Sequence, residues 1–196
     1  MYIDATRGSI NDITGNHTIT NHGATLTSDN KYLNFVSTES DYLDTDFVPN
    51  LTTWSAELYF HFIAIPTRTS VVFGWGEDIN QIRIAYSGSS KVFSIQSNSG
   101  TNYSITDTAN ITSPHHFIIT MNNGTVTSYF DGVKSIITSN ANIQTSPQTL
   151  TLKIGCNYDN SSGFANINLG MFRFYDGKVL TDEEALQNYN YEINRG

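Results

Sequence analysis

The sequence is poor in cysteine, in positive charge and in long apolar runs. Its single cysteine, Cys156, has no partner for an intramolecular disulfide and no neighbouring Cys or His at metal-binding spacing, so we expect a small core residue. Lysine and arginine number 10 against 18 acidic residues, which gives a net charge of −8, and no basic cluster occurs. This balance disfavours nucleic acid or an anionic membrane surface as a partner.

Patterns that would send the chain into a membrane are also missing. No apolar run approaches the roughly 18–20 residues of a membrane-spanning helix, and the segment 1–4 lacks the basic and apolar regions of a signal peptide. We therefore expect no membrane insertion and no signal peptide. Only 14% of the residues are charged, and the polar remainder is rich in Ser, Thr and Asn, which is typical of strands and turns.

The pattern that is present is an alternation of apolar and polar residues with a period of two, which predicts β-strands. In the segment 54–65 one face is apolar and the other carries Glu57. The far end of this strand, with Ile63 and Ile65, is predicted to be buried on both faces. No linker, charge block or repeat divides the chain, so we expect one all-β domain over residues 1–196. Strands are predicted at 33–36, 54–65, 71–73, 81–86, 92–96, 116–121, 125–130, 133–138, 149–154 and 167–175.

Two dipeptides predict tight hairpin turns. Asn123-Gly124 and Asp131-Gly132 tolerate the positive φ angles that such turns require, so three strands between 116 and 138 should be neighbours in order. A change of apolar phase near Gly170 predicts a β-bulge in the last strand.

One helix is indicated near the end of the sequence. Thr181 and Glu184 have the spacing of a capping box, in which each side chain bonds the backbone amide of the other residue. Acidic residues in this first turn also suit the positive end of the helix dipole. We expect a single short helix that runs to about Asn188.

Several segments together resemble the concanavalin A-like lectin/glucanase superfamily, in particular its laminin-G-like and pentraxin-like jelly rolls. A His-His strand, a Tyr-x-Asp-Gly hairpin and a closing strand-to-helix segment occur in the order and at the spacing seen in such domains. The resemblance implies a two-sheet antiparallel jelly-roll sandwich with one short C-terminal helix. The segments that carry it are 32–35, 41–43, 54–60, 72–76, 115–120, 128–133 and 171–189.

The same resemblance suggests a function and a setting. Laminin-G-like domains of phage tail and neck fibres are similar, so we expect a non-catalytic module that binds a cell-surface glycan or another host receptor, on a virion or otherwise at a cell surface. One alternative is a structural or protein-adhesion domain that binds neighbouring subunits as a homo-oligomer. A glycanase with a degenerate carboxylate motif is the third. Fold alone does not choose among them.

Residues for sugar binding are predicted from aromatic rings placed beside short polar side chains. A ring stacks on the apolar face of a sugar, while Asp and Asn take its hydroxyls. For Trp75, between two glycines, burial in the core is at least as well supported. The candidates are Trp75, Asp78, Asn80, Tyr86, Tyr103, Asn157, Tyr158, Asp159 and Asn160.

Calcium is the one cofactor that the sequence raises. Jelly rolls of this class often hold calcium at the rim, and Asp78 and Asp159 lie in oxygen-rich segments that suit it. The N-terminal Asp4 or Asp12 are further candidate ligands. No EF-hand spacing selects one of these segments, so the metal stays open.

Two other groups of residues invite a catalytic interpretation. Glu39, Asp41 and Asp44 approach the Glu-x-Asp-x-x-Glu pattern of some glycanases of the superfamily, but the last residue is Asp and the segment is predicted to be a turn. His115 and His116 are adjacent on a strand and point to opposite faces, so they cannot serve one metal. We therefore expect no enzyme, with one histidine buried and one at the surface.

Overall fold

A computed structural model describes residues 1–50, 52–76, 82–90, 92–97, 101–107, 110–138 and 150–194. Two antiparallel sheets pack face to face, and one helix, α1 (Asp182–Ile193), covers part of one outer face. The strands are β1 (Tyr2–Asp4), β2 (Ile19–His22), β3 (Thr25–Leu26), β4 (Leu33–Phe35), β5 (Tyr42–Thr45), β6 (Thr53–Phe62), β7 (Thr69–Trp75), β8 (Ile82–Ser87), β9 (Val92–Ser97), β10 (Thr101–Asp107), β11 (His115–Asn122), β12 (Thr125–Phe130), β13 (Val133–Thr138), β14 (Lys153–Ile154) and β15 (Ile167–Asp176).

The predicted all-β sandwich is confirmed, and in each sheet some neighbouring strands are far apart in sequence. The eight-stranded sheet runs β13-β12-β11-β6-β15-β4-β3, with β1 also paired to β15. The seven-stranded sheet runs β10-β9-β8-β7-β14-β5-β2. The apolar-polar alternation did not predict five strands. Four of them have only two to four residues, too few to show a period of two, and the fifth is a polar segment. They are β1, β2, β3 and β5, and β10.

The core lies between the sheets and is rich in aromatic rings. Trp54 and Trp75 face each other from opposite sheets, with ring centroids 5.2 Å apart, and Phe174 stacks on Trp54 at 5.6 Å. The apolar face predicted for the 54–65 segment is buried as far as Phe62. Beyond it, β6 ends and the chain enters a loop, so the prediction that Ile63 and Ile65 are buried is wrong.

The predicted turns and the bulge are confirmed. Asn123 and Gly124 have φ angles of 46° and 94°, and Asp131 and Gly132 have 48° and 78°. These values join β11, β12 and β13 into the expected meander. In β15 the pairing with β6 shifts by one residue at Gly170, as a bulge requires.

The helix has the predicted start and a later end. Thr181 accepts a hydrogen bond from the Glu184 amide at 3.2 Å, and the Glu184 carboxylate accepts one from the Thr181 amide at 2.9 Å. Instead of ending near Asn188, α1 continues to Ile193, because Asn188 and Glu192 on its inner face bond to the sheet beneath. Among the described residues, no helix is long and apolar enough to cross a membrane.

Candidate functional site

A loop of residues 155–164, between β14 and β15, packs beside β7 of the seven-stranded sheet. The Val71 amide donates to the Gly163 carbonyl at 2.8 Å, and the Asn157 amide donates to the Ser162 carbonyl at 3.0 Å. A Cβ on Gly163 would lie 2.8 Å from Val71 Cγ2, and its φ of +69° also favours glycine. The loop is therefore held tightly against β7.

The tip of this loop brings four of the predicted binding residues together. Asn157 is buried, Tyr158 is half-buried, and Asp159 and Asn160 are exposed. The Asn160 amide donates to the Asn157 carbonyl at 3.1 Å, and Asn160 takes a left-handed φ of 50°, which Asn tolerates well. One phenol and three short polar side chains thus share a compact turn.

A depression of about 310 Å³ lies on the outer face of the seven-stranded sheet, across strands β7 to β10, and we call it the serine groove. Its position follows from the strand pattern, since Ile82 and Ile84 point into the core and Arg83 between them points out. The groove is lined by Thr69, Arg83, Ala85, Ser87, Ser90, Val92, Ser94 and Ser104.

Arg83 connects the serine groove to the loop tip. Its Nη1 donates to Asn157 Oδ1 at 3.4 Å, a long hydrogen bond. Partial burial lowers the pKa of Arg83, while the phenol of Tyr158 and the carboxylate of Asp159 act in the opposite direction. An arginine stays charged under such shifts, so the groove contains a fixed positive charge.

A second, larger depression of about 560 Å³ lies on the other side of the loop, and we call it the end cleft. The loops between β4 and β5 and between β6 and β7 form its walls, and Thr69 borders both depressions. Ile65 and Arg68 contribute an apolar and a charged side chain to it. Residues 161–164 of the loop line the end cleft, and Arg83 connects the loop to the serine groove.

An aromatic stack beside the loop was missed by the sequence reasoning. The rings of His22 and Tyr42 stack at 4.2 Å between centroids with an angle of 7°, and Phe164 packs against Tyr42 at 6.2 Å. Burial raises the pKa of Tyr42, and the Asn160 side chain hydrogen-bonds to its hydroxyl. The signal in the sequence was weak, because β2 and β5 are four residues long and pair only in the folded chain.

The other predicted aromatic residues do not join this surface. Trp75 and Tyr86 are 0% and 1% exposed and pack in the core, so neither ring offers a face to a ligand. Tyr103 lies opposite Ile95 in the sheet and packs against the core. The burial that the sequence allowed for Trp75 is confirmed, and Tyr86 and Tyr103 also pack with the core. Asp78 and Asn80 lie outside the described residues.

The described carboxylates raised as candidate calcium ligands are engaged within the protein. Asp159 accepts the amide and the hydroxyl of Ser161 at 3.1 and 2.6 Å. Asp4 caps the 3-10 turn at residues 5–7, and Asp12 accepts the Tyr2 amide at 2.8 Å. Within the described ranges, no group of three or more His, Cys, Asp and Glu side chains is arranged to hold a metal.

Two of the three carboxylates of the 39–44 segment are bonded within the protein, whereas Glu39 is exposed. Asp41 is 3% exposed and accepts the Val36 amide at 2.9 Å. Asp44 pairs with Lys153 at 2.6 Å. Their oxygens therefore stabilise the turn and the strand that follows, and Asp41 is not the solvated side chain that a loop would suggest.

A carboxylate and an imidazole do meet on the opposite sheet, beneath α1. Glu57 and His116 are both fully buried, and His116 Nε2 lies 2.9 Å from Glu57 Oε1. Arg173 donates to Glu57 at 3.0 Å and to Glu192 at 2.7 Å, while Tyr175 donates to Glu57 at 2.7 Å. We call these five residues the buried ionic cluster; at its centre, Glu57 and His116 are closed to solvent.

The pKa shifts in the cluster follow from its hydrogen bonds. Burial by itself would raise the pKa of Glu57, but the bond to His116 and the charge of Arg173 leave it lowered. Burial and the negative charge of Glu57 raise the pKa of Tyr175. The prediction of one buried histidine is confirmed by His116, whereas His115 is half-buried rather than at the surface and bonds to Asp131 at 2.7 Å.

A family model described as the concanavalin A-like lectin/glucanases superfamily, of the laminin G type, matches residues 36–185. The chain belongs to this superfamily. No curated protein sequence matches it at the threshold applied.

Solved structures of the superfamily fold are similar at low sequence identity. A Trypanosoma rangeli sialidase in complex with sialic acid shares 12% identity at a TM-score of 0.72, with all of this chain covering 33% of that one. The botulinum neurotoxin serotype D binding domain shares 12% at 0.77, with all of this chain covering 52%. The chain thus spans a third to a half of these proteins, and the likeness shows the fold alone.

Proposed function

We propose that the chain is a non-catalytic module that binds a carbohydrate of a host or cell surface through the 155–164 loop and the two depressions beside it. The observation that carries this proposal is the loop tip, where Tyr158 lies next to Asn157, Asp159 and Asn160. A phenol ring beside short polar side chains is suited to the mixed apolar and hydroxyl surface of a sugar.

Membership of a lectin-containing superfamily supports this role, and so does the nature of the outer surface. The serine groove and the end cleft are both lined by polar and apolar side chains, which suits the mixed surface of a sugar. For the setting, the resemblance to phage tail and neck fibre domains supports host attachment on a virion. Calcium at the rim, with Asp78 and Asp159 as ligands, stays a prediction.

A binding experiment tests the proposal directly. The wild type is screened on a glycan array with and without calcium, and affinities for the glycans found are then measured for Tyr158→Ala. We expect binding about tenfold weaker, because loss of a central aromatic contact commonly costs more than about 1 kcal/mol. Tyr191→Ala is the matched control, since Tyr191 is 60% exposed on α1, on the other sheet. No glycan binding by the wild type in either condition would contradict the proposal.

The second candidate is a structural or adhesion domain, and a different surface favours it. Val133 and Ile136 are 71% and 64% exposed on β13, the last strand of the described order of the eight-stranded sheet. Exposed apolar side chains on such a strand can contact a second copy. A stable oligomer in light scattering that Val133→Asp dissociates, together with no glycan affinity, would favour this function over the first.

A further inference from the structure

The serine groove contains the positive charge of Arg83, which forms no ion pair with the carboxylates of the described residues. Five of the basic side chains in the described ranges form ion pairs with carboxylates: Arg7, Lys134, Lys153, Arg173 and Lys178. Lys31 and Arg68 do not, but both are exposed to solvent. Among the described basic residues, only Arg83 is partly buried and has no carboxylate within 4 Å.

The geometry around Arg83 favours a ligand with an oxyanion. A guanidinium offers several N–H donors in one plane, and within the described residues that of Arg83 makes one hydrogen bond, the 3.4 Å contact with Asn157. The serine hydroxyls of Ser94 and Ser104 line the same depression and form no side-chain hydrogen bond with described residues. These donors surround a hollow of about 310 Å³, enough for one sugar unit.

The strand next to Arg83 is shaped to let its side chain lie in the groove. Gly74 is the register partner of Arg83 on β7. A Cβ at Gly74 would lie 3.0 Å from the Arg83 Cβ, so a larger residue there would press against the arginine stem. Asp159, the nearest acidic residue of the loop, directs both carboxylate oxygens to Ser161.

We propose that the serine groove binds an anionic group of the ligand, a carboxylate or a sulfate on a sugar, with Arg83 as its charged partner. This inference rests on the proposed function and narrows it to acidic glycans. Bidentate hydrogen bonds from arginine to a planar carboxylate are short and charge-assisted, and sulfate oxygens accept them in a similar way. Neutral glycans would leave the guanidinium without a counter-charge and bind more weakly.

The test compares oligosaccharides that differ only in charge. Binding of the wild type is measured for lactose against 3′-sulfated lactose, and for a galactose trimer against a galacturonic acid trimer. We expect the acidic member of at least one pair to bind about tenfold more tightly. The pair that shows the preference tells whether a sulfate or a carboxylate is the natural group. The preference should disappear in Arg83→Gln and recover only in part in Arg83→Lys, which keeps the charge but not the planar fork.

Lys31→Gln is the matched control, because Lys31 is an exposed basic residue in the turn between β3 and β4 and lines neither depression, and it should keep the preference. Thermal unfolding of each variant shows whether it remains folded. Equal binding of acidic and neutral partners, or a preference that survives Arg83→Gln, overturns this inference and leaves the proposed function intact. If the wild type binds neither these probes nor any glycan on the array, the proposed function fails and this inference fails with it.

Discussion

The outer faces of the two sheets treat an arginine in opposite ways. On the eight-stranded sheet, α1 covers Arg173, which donates to Glu57, Glu192 and the Tyr2 hydroxyl at 2.7 to 3.0 Å. On the seven-stranded sheet Arg83 makes one long hydrogen bond with the described residues and lies in an open groove. A saturated cluster joins structural elements, whereas donors left unsaturated beside solvent remain available to a ligand.

Disrupting the buried ionic cluster should have the largest effect on stability. Replacing Glu57 by Gln removes the negative charge to which His116, Arg173 and Tyr175 are directed, inside a buried site. We expect the free energy of unfolding to fall by about 3–5 kcal/mol, as when one partner of a buried ion pair is removed. Urea denaturation measures the change.

An exposed ion pair of the same sheet provides the control. Lys134 pairs with Asp182 at 2.7 Å, and both side chains are largely in solvent. Lys134→Gln should change the stability by no more than about 1 kcal/mol. Equal losses in the two variants would mean that the buried ionic cluster does not hold α1 on the sheet.

The buried ionic cluster should also make the free energy of unfolding depend on pH, with a smaller change than in Glu57→Gln. The pKa of Glu57 is lowered in the folded protein, whereas in an unfolded chain it is about 4.3. Its contribution is therefore complete above the unfolded pKa and is lost as the pH falls through the folded pKa. Between about pH 5 and pH 3 the wild type should lose stability more steeply than Glu57→Gln. Thermal unfolding across this range measures it, and parallel curves would contradict the assignment.

The smallest effect is expected on the open face. Arg83→Gln removes one long hydrogen bond and no ion pair within the described residues, so the free energy of unfolding should change by less than about 0.5 kcal/mol. Arg173→Gln, measured by the same denaturation, should cost several times more. A large loss of stability in Arg83→Gln would mean that this arginine has a structural role, and the contrast between the two faces would be wrong.

The sequence predicted the parts of the fold that depend on local pattern. Turn dipeptides, the capping box and the long alternating strands act within about ten residues, and the structure has all of them. Alternation failed for Glu57, which was placed on the polar face of its strand as if solvated. The helix that buries it is more than a hundred residues away, and no local signal announces such a cover.

The candidate site was predicted only where it is continuous in the chain. Asn157, Tyr158, Asp159 and Asn160 share one loop and were found together. Arg83 and the His22–Tyr42 stack reach the same surface through strand pairings that periodicity does not reveal. Trp75 and Tyr86 were wrongly included, because an aromatic residue near glycines reads the same whether its ring faces the core or solvent.

The position of β15 at the middle of the eight-stranded sheet also affects how the chain folds. Its neighbours are β6, β4 and β1, all of them more than a hundred residues earlier in sequence. During synthesis β6 therefore emerges long before the strand that pairs with one of its edges, and its backbone groups there stay open for seconds. Sheets with such distant pairings fold slowly, so we expect the unpaired edge of β6 to favour aggregation during expression.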